Sequence, residues 1–171
     1  MPYLKPATLE EAIALSQDLR PEDEAEIRAM SGHEPVVSLS HGVHFSDLPT
    51  TIMDEDGSVL GMFGAVSMGS KPRVGAVWML CSPKILKYRR RFAKESRQWI
   101  EAMHQRYDLL WNVVDERNAV HIRWLTWCGF TFINRHETLG VAQVPFLEFV
   151  RVADATFDKA ECVKTEDQRD V

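Results

Sequence analysis

Five cations fall within eight residues, Lys84, Lys87, Arg89, Arg90 and Arg91, just ahead of a segment with helical apolar period at Phe92, Ala93, Ser96, Trp99, Ile100 and Met103. Guanidinium and ammonium groups at a helix N-terminus suit an anion, because the helix dipole adds to their charge. Three uses stay open for them: holding phosphates, meeting a nucleic acid or acidic partner, or forming a solvated helix face. Residues 84–106 hold eight Lys/Arg against two Glu, whereas the chain as a whole is −5. The basic character is therefore local, and general nucleic-acid binding by the whole surface is disfavoured.

Other reactive side chains are sparse. Cys81, Cys128 and Cys162 form no close pair, which argues for reduced thiols and against a disulfide framework or a cysteine-rich zinc site. His41 and His44 have no carboxylate or cysteine at a ligand spacing, so no metal is expected and they read as surface histidines. Gly61 and Gly64 open no helix and make no nucleotide fingerprint. The acidic run Glu22-Asp23-Glu24-Ala25-Glu26 reads as the solvated face of a helix.

Elements can be assigned around these groups. A short strand from Tyr3 leads into a helix opened by the capping box Thr8-Leu9-Glu10-Glu11 and running to about Leu19. A second helix spans Pro21 to Met30, with proline in its first turn and Gly32 after its end. Residues 34–47 mix a weak helical period with turn residues and predict a short helix followed by a loop. Asp56-Gly57 marks a hairpin between strands at 50–54 and 58–67. Further strands fall at 73–80, 109–114, 131–136 and 144–152, and Asn118 caps a helix that stops at Gly129.

With 171 residues and 45% hydrophobic content, the chain suits one domain over 1–152. Residues 153–171 are expected to be an acidic exposed or disordered tail. No apolar stretch has membrane-span length, and Met1-Pro2-Tyr3-Leu4-Lys5 lacks a signal-peptide core, so the expected location is the cytoplasm of the producing cell.

The unit Leu109-Leu110-Trp111-Asn112-Val113-Val114, then Asn118 through Gly129-Phe130, resembles the C-terminal motif of the GNAT acetyltransferase superfamily. Within it, Leu110-Trp111-Asn112 followed by Asn118, His121, Arg123, Leu125 and Gly129 is similar to the small GNAT-related internal virion proteins of short-tailed bacteriophages. The likeness covers about residues 70–150 and is specific over 107–130. It implies an α/β (α+β) fold, a mixed and mostly antiparallel sheet of six or seven strands with about four helices. The fourth and fifth strands would be parallel and splayed around acetyl-CoA.

The same resemblance implies a cofactor site at Leu80, Ser82, Lys84, Lys87, Arg89, Arg90 and Asn118. Catalytic candidates are His121, Cys81 and Glu116. Two departures bear on activity. The family's glycine-containing phosphate loop is replaced here by a glycine-free stretch, residues 80–91, which puts the backbone amide cradle in doubt. The tyrosine that often serves as general acid is Leu125. Two functions follow: a phage assembly or internal-virion protein, degenerate in acetyl-CoA catalysis, whose partners are phage or host proteins, or an active acetyl-CoA-dependent N-acetyltransferase. The first places the chain in the host cytoplasm and in the virion.

Overall fold

The computed structural model describes residues 1–154. Most of the expected 153–171 tail lies outside the described residues. Seven strands form one sheet in the order β1-β2-β3-β4-β5-β7-β6: β1 Tyr3–Pro6, β2 Ser46–Met53, β3 Val59–Met68, β4 Lys71–Cys81, β5 Leu109–Asp115, β6 Thr131–Leu139 and β7 Val144–Val152. The helices are α1 Leu9–Ser16, α2 Pro21–Ser31, α3 Pro35–Phe45, α4 Arg89–His104 and α5 Ala119–Trp127. All strand pairs are antiparallel except β4 with β5.

Helices cover both faces, and side-chain alternation along β3 and β4 feeds each. Met62, Trp78 and Leu80 pack with Ala12, Leu15, Ile27 and Leu39 under α1, α2 and α3. On the opposite face Phe63 and Met79 join Ile85, Trp99 and Trp124, and Val77 joins Ile100, Leu125 and Phe130. The capping box at Thr8 forms, with Glu11 donating its amide to Thr8 Oγ1 and receiving the Thr8 amide on its carboxylate.

Two local expectations change. Residues 34–47 are not a short helix and a loop: α3 runs to Phe45 and passes directly into β2, whose Ser46 and Asp47 pair with Val66 and Ala65. The turn-like Gly42 is a packing residue, because a Cβ there would lie 2.6 Å from the Trp78 ring. Ahead of α4, residues Pro83–Tyr88 of the glycine-free stretch form a 3₁₀ helix, in a segment to which the sequence assigned no element.

The β6–β7 hairpin tip is bonded to α2. Val141 and Ala142 donate their amides to the carbonyls of Met30 and Ala29 at 3.1 and 3.0 Å, answering two of the helix's terminal carbonyls. Gly140 makes this possible, with φ +68 and only 2.4 Å between a built Cβ and Ala29 O. Gly140→Ala should therefore destabilise the fold by about 2–4 kcal/mol in urea unfolding, adding a clash to left-handed strain. Gly57→Ala, at φ +82 with open space around it, should cost only about 1–2 kcal/mol.

Candidate functional site

The parallel strands β4 and β5 pair only at Val74–Leu109, Gly75–Leu110 and Ala76–Trp111, then diverge. Backbone groups freed by the divergence need partners, and side chains supply them. Asn112 Nδ2 donates to Val77 O at 2.7 Å, and the Cys81 amide donates to Asp23 Oδ2 at 3.0 Å. Alternation along the strand points the Met79 peptide into the same opening. Leu80, expected to bind cofactor, has its backbone turned toward β3, opposite Met62.

At the far end of the opening sits Asn118. Its Nδ2 donates to Asp23 Oδ1 at 3.3 Å and Glu26 Oε2 at 3.1 Å, while its Oδ1 accepts from Arg20 at 3.4 Å and the His121 amide at 3.3 Å. All four hydrogen-bonding positions of the side chain are filled. Asn118, expected at the cofactor site, is engaged as the cap of α5. Glu26 also accepts from the Asp115 amide at 3.2 Å.

Asp23 and Glu26 correct the reading of the acidic run as solvated. Asp23 is 3% exposed and Glu26 faces a cavity. Ile27 and Met30, one turn beyond each, mark this inward stripe in the sequence. Burial pushes the Glu26 carboxyl up to about 8, with Asp23 adding to the rise and the Asn118 hydrogen bond opposing it. Burial likewise raises Asp23, against the pull of Arg20.

Two cavities meet across the opening. The inner one, about 450 Å³, is lined by aromatic and aliphatic side chains of the sheet and of α2 through α5, with Glu26 in its wall and His33, His41 and Phe45 among its other lining residues. The outer one, about 440 Å³, lies between the 3₁₀ segment, α4 and α5, and is bordered by Arg20, Arg89, Arg90 and Arg123. Met79, His121 and Trp124 line both. Arg20 and Met79 were not singled out in the sequence, and Arg123 entered only as part of the family-like motif, since only folding brings the three to this slot.

His121 thus stands at the junction. Burial, with Arg20 nearby, lowers its imidazole to about 4 and keeps it neutral at physiological pH. Cys81 is buried and its thiol is pushed up by burial and by Asp23, so no thiolate is at hand for acyl chemistry. Glu116 turns away to a bidentate pair with Arg135, which holds its carboxyl below the usual range and makes it a weak base. Neither Glu116 nor Ser82 lines either of these two cavities, and the buried Ser82 hydroxyl has no partner among the described residues. Arg89 and Arg90 border the outer cavity, while Lys84 pairs with Asp18 at 3.6 Å and Lys87 lies over the Tyr88 ring. Among the described residues no cluster of His, Cys, Asp or Glu is placed to hold a metal ion, and no helix is long and apolar enough to cross a membrane.

A family model described as "Bacteriophage T7, probable scaffold protein Gp13" matches residues 50–137, just over half of the chain. The chain belongs to this phage protein family. No curated protein matches the sequence. Among solved structures, aminoglycoside acetyltransferase AAC(6')-Ib in complex with ribostamycin and coenzyme A aligns at TM-score 0.66 and 14% identity, covering 93% of this chain and 99% of that one. GNAT acetyltransferases from Streptococcus pneumoniae (TM-score 0.55, 13% identity, 90% and 99% covered) and Bacillus anthracis (0.61, 5%, 88% and 94%) align similarly. At such identities the likeness shows the fold, which is GNAT.

For a CoA-type ligand, the slot between β4 and β5 and the arginines bordering the outer cavity fit a long molecule with phosphates at one end. The phosphate end would be held by side-chain charge, because the 3₁₀ segment spends amides on its own turns: Ile85 donates to Ser82 O and Arg89 to Leu86 O.

Glu26 makes a stability prediction. Its folded value of about 8 lies above the ordinary glutamate value of 4.5, so its contribution to stability is greatest below about 4.5 and is lost as pH rises to about 8. Glu26→Gln keeps an acceptor for Asn118 and Asp115 without the charge. It should raise stability at pH 8 by about 1–2 kcal/mol, roughly 2–8 °C in Tm, and give no gain at pH 4. Thermal melts of both proteins across pH 4–9 measure the difference.

Proposed function

We propose that this protein is a bacteriophage assembly component of the internal-virion type, which has kept the GNAT fold and a slot for a CoA thioester while losing efficient turnover. The observation that carries the reading is the paired state of the β4–β5 opening. Its two cavities persist and meet, yet the position of the usual acid is Leu125, 2% exposed within the core, and a self-bonded 3₁₀ helix replaces the phosphate loop.

In this reading a CoA thioester supplies an activated acyl group, and the chain's own residues hold it. Arg89, Arg90, Arg20 and Arg123 neutralise phosphates by charge. The apolar outer cavity, with Ile85, Phe92, Val120 and Trp127 among its walls, excludes water from the long arm of the ligand. The Met79 amide, directed into the opening, offers a hydrogen bond to an acyl carbonyl. Membership of a phage scaffold-type family supports a role in particle assembly and association with the virion, with phage or host proteins as partners.

A second reading, an active N-acetyltransferase acting on a protein or small-molecule amine, is favoured by one observation. His121 is neutral and stands where the two cavities join, and a neutral imidazole there is able to exchange a proton with a reacting group.

Ligand binding and turnover separate these readings. CoA and acetyl-CoA should each stabilise the protein, by about 2.7 kcal/mol at a hundredfold excess over Kd, while thiol release from acetyl-CoA in the presence of simple amines should not exceed the protein-free rate. Absence of any thermal shift at millimolar ligand overturns the slot. Amine-dependent thiol release that is lost in His121→Ala establishes the enzyme instead. Replacing Arg89 and Arg90 together with Ala should weaken CoA about tenfold or more and dephospho-CoA less, because the lost cations face phosphate. Stability should change by no more than about 0.5 kcal/mol, as both side chains are exposed.

A further inference from the structure

Beyond the junction at Met79, His121 and Trp124, the inner cavity continues through the splayed strands toward α2 and α3. Its volume of about 450 Å³ is within the range of sites that enclose whole small molecules, about 300–1,000 Å³. An acetyl methyl is about the size of one water, whose share of the liquid is about 30 Å³. An acetyl group would therefore leave nearly all of this space unfilled.

The walls say what would fill it. Phe63 and Trp99 stack at 4.9 Å between ring centroids, and with Met103, Phe130, Phe146 and Val66 they make a predominantly apolar lining. The charged residue type in that lining is Glu26, whose carboxyl keeps its proton at neutral pH and so brings no charge. Asn112, the polar group nearest the strand divergence, already spends its amide on Val77 O and its carbonyl oxygen on the Val113 amide. An apolar cavity of this size gains free energy with each methylene that displaces water from it.

We infer that the inner cavity is an acyl-chain site, and that the ligand class of the slot is a medium-chain acyl-CoA, about eight carbons long, in preference to acetyl-CoA. The inference rests on the CoA slot proposed above. The thioester lies at the junction, the nucleotide half in the outer cavity and the hydrocarbon in the inner one. It concerns binding and requires no turnover.

Isothermal titration of the full chain with CoA, acetyl-CoA and octanoyl-CoA tests it. Octanoyl-CoA should bind at least tenfold more tightly than acetyl-CoA, since each fully buried methylene contributes about fourfold. Val66→Phe on β3 and, separately, Ser38→Phe on α3 place a ring into the cavity wall. Each should erase the octanoyl preference while leaving CoA affinity unchanged, which also reports that the variant is folded. Equal affinities for acetyl-CoA and octanoyl-CoA, with both bound, overturn the chain site and leave the slot standing. An octanoyl preference that survives both ring insertions places the chain elsewhere and overturns the assignment. Failure of all three ligands to bind overturns the slot itself, and this inference with it.

Discussion

The opening between β4 and β5 exists because side chains take over what strand pairing would have done. After Ala76 the parallel ladder ends, and the backbone groups beyond it would be stranded in a low-dielectric interior at a cost of about 1–3 kcal/mol each. Asn112 answers one strand; Asp23 and Glu26, carried on α2, answer the ends of both. Asn118 ties these carboxyl groups to the cap of α5. The cleft, the helix that covers it and the helix that borders it are thus one hydrogen-bonded assembly, and the cavities are what its geometry leaves between them.

Much of this architecture was legible before folding, and the boundary of legibility has a physical form. Strand 144–152, the Asp56-Gly57 turn, the Thr8 capping box and the Asn118-to-Gly129 helix all depend on neighbours in sequence, and all occur where local chemistry puts them. The parallel and splayed relation of the fourth and fifth strands came from a family likeness, and it is present. What failed depended on distant partners. Gly42 reads as a turn until Trp78 is brought against it. Glu26 reads as solvent-facing until β5 lies beside α2. The 3₁₀ segment combines Pro83 with a cationic run that carries no clear period.

Among the site residues, type was a poor guide to availability. Asn118, Cys81 and Glu116 belong to residue classes that do chemistry, yet each is already engaged or insulated: Asn118 by four hydrogen bonds, Cys81 by burial, Glu116 by Arg135. Arg89 and Arg90 border the slot and form no ion pair among the described residues, whereas Arg91 in the same turn pairs with Glu95. A phage protein family on a GNAT frame fits this picture, since the sheet is kept although the stretch ahead of α4 is a 3₁₀ helix and residue 125 is leucine.

The contact between the β6–β7 tip and the carbonyl end of α2 bears on how the chain reaches its final form. It joins residues near position 30 to residues near position 141, a separation that makes the closure entropically slow. On the ribosome, α2 emerges long before the hairpin that holds its carboxyl end and before the β5 amide that Glu26 receives. Before they arrive, α2 has Ile27 in the core with Ala12, Leu15 and Leu39, and the Cys81 amide on Asp23. Asp115 and the hairpin tip lie later in the chain than the core under α1 and α3, so the contacts that finish the acidic face and the carboxyl end of α2 are the last of its partners that a growing chain supplies.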